Sequence, residues 1–168
     1  MIRVAVLTIS DSAVAGTRED RSGPAVAEKA HSLGWSVVAK EVHRDEMGEI
    51  AAAMTRLIDE GYADLVITTG GTGLGPRDVT PEATKAIAHR EVPGFGELMR
   101  AEGRKTARFA SLSRGGAAAR GRGLILNLPG SPRGAVDSLV AVADLVPHAI
   151  DLLQGRTEHK SGEASKQS

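Results

Sequence analysis

The feature that most limits the fold of this chain is the alternation of strand-like and helix-like segments. Four apolar runs are typical of strands: Ile2–Ile9, Trp35–Val42, Asp64–Thr69 and Leu124–Leu128. The first is nearly continuous in β-branched and aliphatic residues, which indicates a strand covered on both faces. Because right-handed crossovers place the intervening helices on both faces of the sheet, the sequence predicts an α/β fold with a mostly parallel sheet.

Apolar residues at helical spacing, together with capping signals, predict the helices between these strands. The first predicted helix begins at Pro24 and ends at Gly34, and the second is capped by Asp45 and ends at Gly61. The third has Thr80 as its N-cap and Pro81 as its first residue. A polar helix is predicted near Gly96–Lys105 and a long apolar helix from about Gly134 to Leu153. Residues 1–153 are expected to form one domain, and the tail 154–168 is predicted to be disordered.

Composition excludes several classes of function. Lys plus Arg and Asp plus Glu both number 21, which argues against nucleic acid as a partner. Cysteine is absent, which excludes disulfides and a cysteine nucleophile and favours a reducing, cytoplasmic location. The chain has no apolar stretch of the roughly 18 residues that a membrane span needs, no HExxH zinc motif and no G-x-S-x-G nucleophile elbow.

Polar and glycine residues follow each predicted strand. These groups are Ser10, Asp11 and Ser12; His43, Arg44 and Asp45; Gly70, Gly71, Thr72 and Gly73; and Asn127, Pro129 and Gly130. Parallel α/β sheets bind ligands at the carboxyl ends of their strands. Turn chemistry alone would explain some of these residues, but four such loops together favour a ligand site.

The strongest local signal is the segment TTGGTGLGPRDVTPEAT, Thr68–Thr84. Four glycines within six residues allow the backbone to approach an anion closely, and the start of the next helix offers unpaired N–H groups. The segment matches neither a Walker A loop nor a dinucleotide fingerprint. It predicts phosphate binding, the alternative being a long glycine loop that serves only as a turn.

Asp78, within this loop, is the first candidate for chemistry. Mg²⁺ prefers one or two carboxylates together with substrate phosphates and waters, so Asp78 is predicted to hold Mg²⁺. An ion pair with Arg77 or a local helix cap is the alternative, and Asp45 carries the same ambiguity as a plausible N-cap. A basic excess over Arg100–Arg122 either steers an anionic substrate or forms a solvated or subunit-contact surface, with Ser113 and Arg114 the best placed.

Several motifs resemble those of the Mog/MoaB family of molybdenum cofactor biosynthesis proteins. They are ISDS at Ile9–Ser12, DRSGP at Asp20–Pro24, TTGGTG followed by RDVTPEAT, LSR at Leu112–Arg114, and NLPGSP at Asn127–Pro132. The resemblance spans nearly everything before the tail. It implies a three-layer α/β/α fold, a homotrimer or homohexamer, and transfer of AMP from ATP to the phosphate of molybdopterin with release of pyrophosphate. Hand-over of the product to a MoeA-type metal-insertion protein would follow.

The same resemblance implies roles for individual residues. Asp78 and Asp45 would be catalytic, with Mg²⁺ at Asp78. Nucleotide contacts would come from Thr68, Gly70, Gly71, Thr72, Gly73, Asn127, Pro129 and Gly130, and molybdopterin contacts from Ser10, Asp11, Ser12, Ser113 and Arg114. Two other functions stay open at this stage: a non-catalytic MoaB-type scaffold that binds molybdopterin, and a nucleotide pyrophosphatase of the related competence-damage type.

Overall fold

A computed structural model describes residues 1–156, which form six strands, seven α-helices and a short 3₁₀ helix. The strands are β1 (Arg3–Ile9), β2 (Ser36–His43), β3 (Leu65–Thr69), β4 (Arg90–Val92), β5 (Gly116–Arg120) and β6 (Gly123–Leu128). The helices are α1 (Asp11–Val14), α2 (Ser22–Ser32), α3 (Met47–Asp59), α4 (Thr80–Ile87), α5 (Pro93–Arg104), α6 (Pro132–Val142) and α7 (Val146–Leu153), with the 3₁₀ helix at Arg108–Leu112. Most of the tail predicted to be disordered, from residue 157 onward, lies outside the described residues.

The strands form one sheet in the order β2-β1-β3-β6-β5-β4. The first four are parallel to one another, whereas β5 and β4 join antiparallel at one edge. The predicted mostly parallel sheet is therefore confirmed. The parallel register aligns the strand ends, since Leu7 of β1 pairs with Thr68 of β3, which pairs with Asn127 of β6.

Helices cover both faces of the sheet, which explains why β1 has no polar face. Val4 and Val6 pack into a core with residues of α2, α5, α6 and α7. Their neighbours Ala5 and Leu7 point to the other face and pack with α3 and α4. Because successive side chains of a strand alternate between faces, a strand buried on both sides is apolar at every position.

Two features of the sequence prediction were wrong or incomplete. The long helix expected over Gly134–Leu153 is in fact two helices, α6 and α7, and Pro147 lies in the first turn of α7, where its missing N–H costs nothing. Strands β4 and β5 were not predicted. The first has three residues and the second reads GAAAR, which lacks the β-branched and aromatic residues typical of strands.

Two predicted helix caps were also wrong. Helix α4 begins at Thr80 with Val79 as its N-cap, and the Thr80 hydroxyl donates to the carbonyl of Gly70 at 2.9 Å. Helix α3 has Glu46 as its N-cap, one residue after Asp45. Thr80 thus closes the glycine loop between β3 and α4, and the Asp45 carboxylate accepts from the N–H of Asp11 in the loop after β1. Within residues 1–156, the helices are all too short or too polar to cross a membrane.

Candidate functional site

Two adjacent cavities open at the carboxyl ends of β1, β2, β3 and β6. The polar cavity, of about 770 Å³, is lined by residues that include Ser10, Asp11, Ser12, Arg18, Asp20, Arg21, Ser22 and Asp45. The apolar cavity, of about 590 Å³, is lined by residues that include Thr72, Leu74, Met99, Phe109, Leu112, Ser113 and Ser138. Both volumes lie in the range typical of sites for small molecules.

The two cavities share one wall, made of Gly71, Asp78, Gly130 and Ser131. Asp78 is the one carboxylate in this shared wall. Molecules that occupied the two cavities side by side would therefore meet at Asp78, on the glycine loop that follows β3.

The side chain of Asp78 holds its own loop through one oxygen only. Oδ2 accepts a hydrogen bond from the N–H of Gly75 at 2.9 Å, and the N–H of Asp78 donates to the Gly75 carbonyl at 3.0 Å. No group among residues 1–156 donates a hydrogen bond to Oδ1. Asp78 therefore does not cap helix α4, the local role offered as an alternative, and instead fixes the loop before it while one carboxylate oxygen stays available at the cavity junction.

The alternative ion pair between Arg77 and Asp78 does not form. Arg77 donates instead to both carboxylate oxygens of Asp11, at 3.0 and 3.1 Å, and to Glu46 at 3.0 Å. Asp11 in turn accepts from the N–H of Asp45 and donates its own N–H to the Asp45 carboxylate. These contacts tie the loops after β1, β2 and β3 together around the polar cavity.

The electrostatics of these carboxylates differ. Hydrogen bonds from Arg77 and from the Asp45 backbone lower the pKa of Asp11. Burial raises the pKa of Asp45, and the negative charges of Asp11 and Asp78 raise it further. Negative charge is thus concentrated at Asp45 and Asp78, where a cation would be stabilised. Residues 1–156 contain no ready-made group of three or more metal-ligating side chains.

Two glycines beside the cavities, Gly70 and Gly130, are closely packed against main chain. Gly70 has φ of +105°, and a Cβ placed on it would lie 2.3 Å from the carbonyl oxygen of Ile9. A Cβ on Gly130 would lie 3.3 Å from the Cα of Gly70, so the turn after β6 packs backbone against backbone with the loop after β3. The N–H of Gly70 donates to the carbonyl of Leu128 at 3.1 Å and its carbonyl accepts from Thr80, so Gly70 holds the loop in place. The N–H groups of Gly71 and Gly130 have no acceptor among residues 1–156 and lie at the cavity walls.

The residues predicted to contact nucleotide are divided between cavity walls and the interior. Gly70 lines the polar cavity, Thr72, Gly73 and Pro129 line the apolar one, and Gly71 and Gly130 line both. Thr68 and Asn127 line neither cavity. The Asn127 amide donates to Thr68 Oγ1 at 3.1 Å and its carbonyl oxygen accepts from Thr84 at 2.8 Å, so both are buried in a network that joins β3, β6 and α4.

The residues predicted to contact molybdopterin are also divided. Ser10, Asp11 and Ser12 line the polar cavity, whereas Ser113 lines the apolar one. Arg114 lines neither of them. Its guanidinium donates to the carbonyls of Gly73 and Asp78 at 2.9 and 2.8 Å and pairs with Glu82, so Arg114 supports the glycine loop from behind.

Several residues of the two cavities were not identified from the sequence. Thr8, Asp20 and Ser22 line the polar cavity, and their only sequence signal was the motif DRSGP, which contains two of them. Phe109 and Leu74, 76% and 70% exposed, line the apolar cavity. Isolated apolar residues in polar segments carry no pattern that would reveal a cavity wall.

Comparison with known proteins gives consistent matches. A family model described as a probable molybdopterin binding domain matches residues 5–148. Proteins named molybdopterin adenylyltransferase from Helicobacter pylori strain J99 and Escherichia coli strain K12 are 42% and 39% identical to this chain. Each alignment covers 92% of this chain, and they cover 89% and 86% of the two relatives.

Solved structures agree on the fold. The molybdopterin biosynthesis enzyme MoaB from Thermus thermophilus superposes with a TM-score of 0.87 at 48% identity, covering 92% of this chain and 98% of that chain. The three-layer α/β/α fold is thereby confirmed. A CinA protein from Thermoplasma acidophilum superposes with a TM-score of 0.65 at 20% identity, which is a likeness of fold alone.

Proposed function

The chain belongs to the family of probable molybdopterin binding domains, and we propose that it is a molybdopterin adenylyltransferase, which transfers AMP from ATP to molybdopterin. The name of its relatives supports this function directly. The competence-damage type of pyrophosphatase is not favoured, since the likeness to CinA extends only to the fold. A non-catalytic scaffold is not favoured either, because the carboxylate of Asp78 is present at the cavity junction.

The single observation that carries the proposal is the pair of cavities that share Asp78. Adenylyl transfer requires two phosphorylated molecules to be held so that an oxygen of one faces the α-phosphorus of the other. Two neighbouring cavities with a common wall meet this requirement, whereas a hydrolase needs room for only one substrate and water. The mixture of apolar and polar walls suits heteroaromatic rings at one end and phosphates at the junction.

In the proposed reaction, an oxygen of the molybdopterin phosphate attacks the α-phosphorus of ATP. A new P–O bond forms between them, and the bond from the α-phosphorus to the bridging oxygen of the β-phosphate breaks. Pyrophosphate leaves with the bonding electron pair. No protein nucleophile is needed, so the chain's residues act by positioning the two anions and by offsetting their charge.

The residues present fit a divalent ion at the junction. Asp78 has a carboxylate oxygen without a hydrogen-bond donor among the described residues, and Asp45 adds negative charge from the loop after β2. We propose Asp78 as the ligand of Mg²⁺. When bound, Mg²⁺ would neutralise charge on the phosphates, and its other ligands would be phosphate oxygens and waters.

Main-chain groups supply the other proposed phosphate contacts. Gly71 and Gly130 bring unpaired N–H groups to the wall of the polar cavity without side chains between them and a ligand, and Gly70 positions the loop through its own backbone hydrogen bonds. A homotrimeric or homohexameric assembly and hand-over to a MoeA-type metal-insertion protein are further parts of the proposal that rest on the family resemblance. A cytoplasmic location stays a prediction.

Product analysis tests the function. The protein is incubated with molybdopterin, ATP and Mg²⁺, and pyrophosphate and adenylylated molybdopterin are both quantified. Equal amounts of the two products are expected. Binding of molybdopterin without pyrophosphate release would support a scaffold instead. In a parallel incubation with a dinucleotide, formation of AMP would support a pyrophosphatase.

A further inference from the structure

The start of helix α2 forms one rim of the polar cavity and contains a serine whose hydroxyl has no hydrogen-bond partner among the described residues. Ser22 is only 6% exposed and lines this cavity. No group among residues 1–156 forms a hydrogen bond with its hydroxyl, yet no fully inaccessible side-chain oxygen or nitrogen in that part of the chain lacks a partner. The unpaired Ser22 hydroxyl oxygen therefore retains some accessible surface, at a residue that lines the polar cavity.

The segment around Ser22 is held rigidly in place. Asp20 accepts a hydrogen bond from the Thr8 hydroxyl at 2.8 Å through Oδ2 and from the N–H of Gly23 at 3.0 Å through Oδ1. A Cβ on Gly23 would lie 2.3 Å from Thr8 Oγ1, so the helix start is pressed against the end of β1. Both oxygens of Asp20 are engaged, and this carboxylate fixes the rim in place.

The same rim carries the positive charges of the polar cavity. Arg18 and Arg21 are the cationic residues that line it. The Arg18 guanidinium forms no ion pair or hydrogen bond with the described residues, and Arg21 meets Glu19 at 3.4 Å with both side chains 76% exposed. Such an exposed pair contributes little, so both guanidinium groups are available to a ligand.

We propose that Arg18, Arg21 and Ser22 form a phosphate-binding subsite that takes the β- and γ-phosphates of ATP and the pyrophosphate formed from them. This inference rests on the proposed function for the identity of its ligand. Arginine binds phosphate oxygens bidentately, and a hydroxyl donates one further bond. Two cations and a hydroxyl match two adjacent phosphates better than one.

The position of the subsite agrees with the chemistry. The leaving pyrophosphate must be stabilised beside the reacting phosphorus, and this rim lines the same cavity as Asp78 and Gly71. The single phosphate of molybdopterin, by contrast, has to reach the junction itself. A contact that serves the leaving group should change ATP and pyrophosphate affinity without changing molybdopterin affinity.

Calorimetric titration with magnesium pyrophosphate alone tests the subsite without requiring turnover. We expect wild-type protein to bind it, Ser22→Ala to weaken binding several-fold, and the double variant Arg18→Gln/Arg21→Gln to weaken it about ten-fold or more. Arg18 and Arg21 are exposed, so the double variant is expected to keep the wild-type thermal unfolding temperature. The matched control is Arg90→Gln, at an exposed arginine of β4 that lines neither cavity, and this variant should bind as the wild type does.

Steady-state kinetics shows whether the subsite binds the phosphates of ATP and pyrophosphate or the phosphate of molybdopterin. The KM for ATP and the inhibition constant of pyrophosphate should rise together in the variants while the KM for molybdopterin is unchanged. An increase confined to the KM for molybdopterin, or pyrophosphate binding equal to that of the wild type, would overturn the subsite. If the wild type binds pyrophosphate through these residues but transfers no AMP, the proposed function fails while the subsite stands.

Discussion

Asp11 and Asp45 each accept a hydrogen bond from the backbone N–H of the other, with N···O distances of 3.0 and 2.9 Å. This reciprocal contact joins the ends of β1 and β2 and places two carboxylates side by side. Arg77 offsets the charge of Asp11. No lysine, arginine or histidine of residues 1–156 forms an ion pair with Asp45, and burial together with the charges of Asp11 and Asp78 raises its pKa, so its ionised form carries an energetic cost.

Replacing Asp45 by asparagine is expected to stabilise the protein at neutral pH while reducing adenylyl transfer. The asparagine side chain would keep an oxygen that accepts from the N–H of Asp11, but it would lose the charge that burial, Asp11 and Asp78 disfavour. The pKa of Asp45 is raised in the folded state. Its contribution to stability is therefore greatest below the unfolded value near 3.8 and is lost as pH rises through the folded value.

Thermal unfolding of metal-free protein measures this effect. The midpoint for Asp45→Asn should exceed that of the wild type at pH 7, and the difference should disappear near pH 3, where the carboxyl is protonated in both states. Asp144→Asn, at an exposed position after α6, is the control and should match the wild type at both pH values. A lower midpoint for Asp45→Asn at pH 7 would show that this carboxylate stabilises the fold instead.

Alanine substitutions at two glycines with positive φ, Gly61 and Gly70, distinguish the stability cost of backbone strain from that of steric overlap. Gly61→Ala should cost about 1 kcal/mol, because φ is +74° but a Cβ there meets nothing within 4 Å. Gly70→Ala should cost about 3 kcal/mol or more, because its Cβ would overlap the Ile9 carbonyl, which belongs to a buried strand. Urea unfolding measures both. Equal losses would contradict the close packing described for the glycine loop.

The sequence predicted the four parallel strands, three of which, β1, β3 and β6, are buried on both faces and consist of nearly continuous apolar runs. It also predicted that the loops after them would meet, since parallel strands align their carboxyl ends. The antiparallel edge was missed because residues 116–119 are glycine and alanine, which have little β propensity of their own. They form a strand through pairing with β6, a tertiary effect that no local pattern records.

The site was predicted only in outline for a similar reason. Residue type placed Asp78 and the glycines at the site, but it did not distinguish residues that line a cavity from those that support its wall. Arg114 and Asn127 act from behind the glycine loop and within the sheet, whereas Ser22 faces the polar cavity. Which way a side chain points depends on contacts between distant segments, and these are not encoded in neighbouring residues.

Asp64 should contribute to stability without affecting the reaction. Burial alone would raise its pKa, but hydrogen bonds from Arg3 and Gln154 outweigh burial and lower the pKa to about 2. A lowered pKa stabilises the protein above the unfolded value near 3.8, and this contribution is lost as pH falls through 2.

We expect Asp64→Asn to lower the free energy of unfolding by about 1 kcal/mol at pH 7, since Arg3 is partly exposed and solvent screens the pair. Asp64 immediately precedes β3 and so lies at the amino ends of the parallel strands, whereas the two cavities lie at their carboxyl ends. The rate of AMP transfer should therefore equal that of the wild type. Denaturant unfolding and the pyrophosphate assay check the two parts, and a loss of turnover in a folded variant would contradict the second.

The most direct measurement of the central claim is pyrophosphate release by Asp78→Asn in the presence of molybdopterin, ATP and Mg²⁺. The asparagine oxygen can still accept from the N–H of Gly75, so the loop and the affinity for molybdopterin should be retained. Loss of the charge at the junction of the two cavities should reduce turnover about 100-fold or more. Wild-type turnover in this variant would contradict the account.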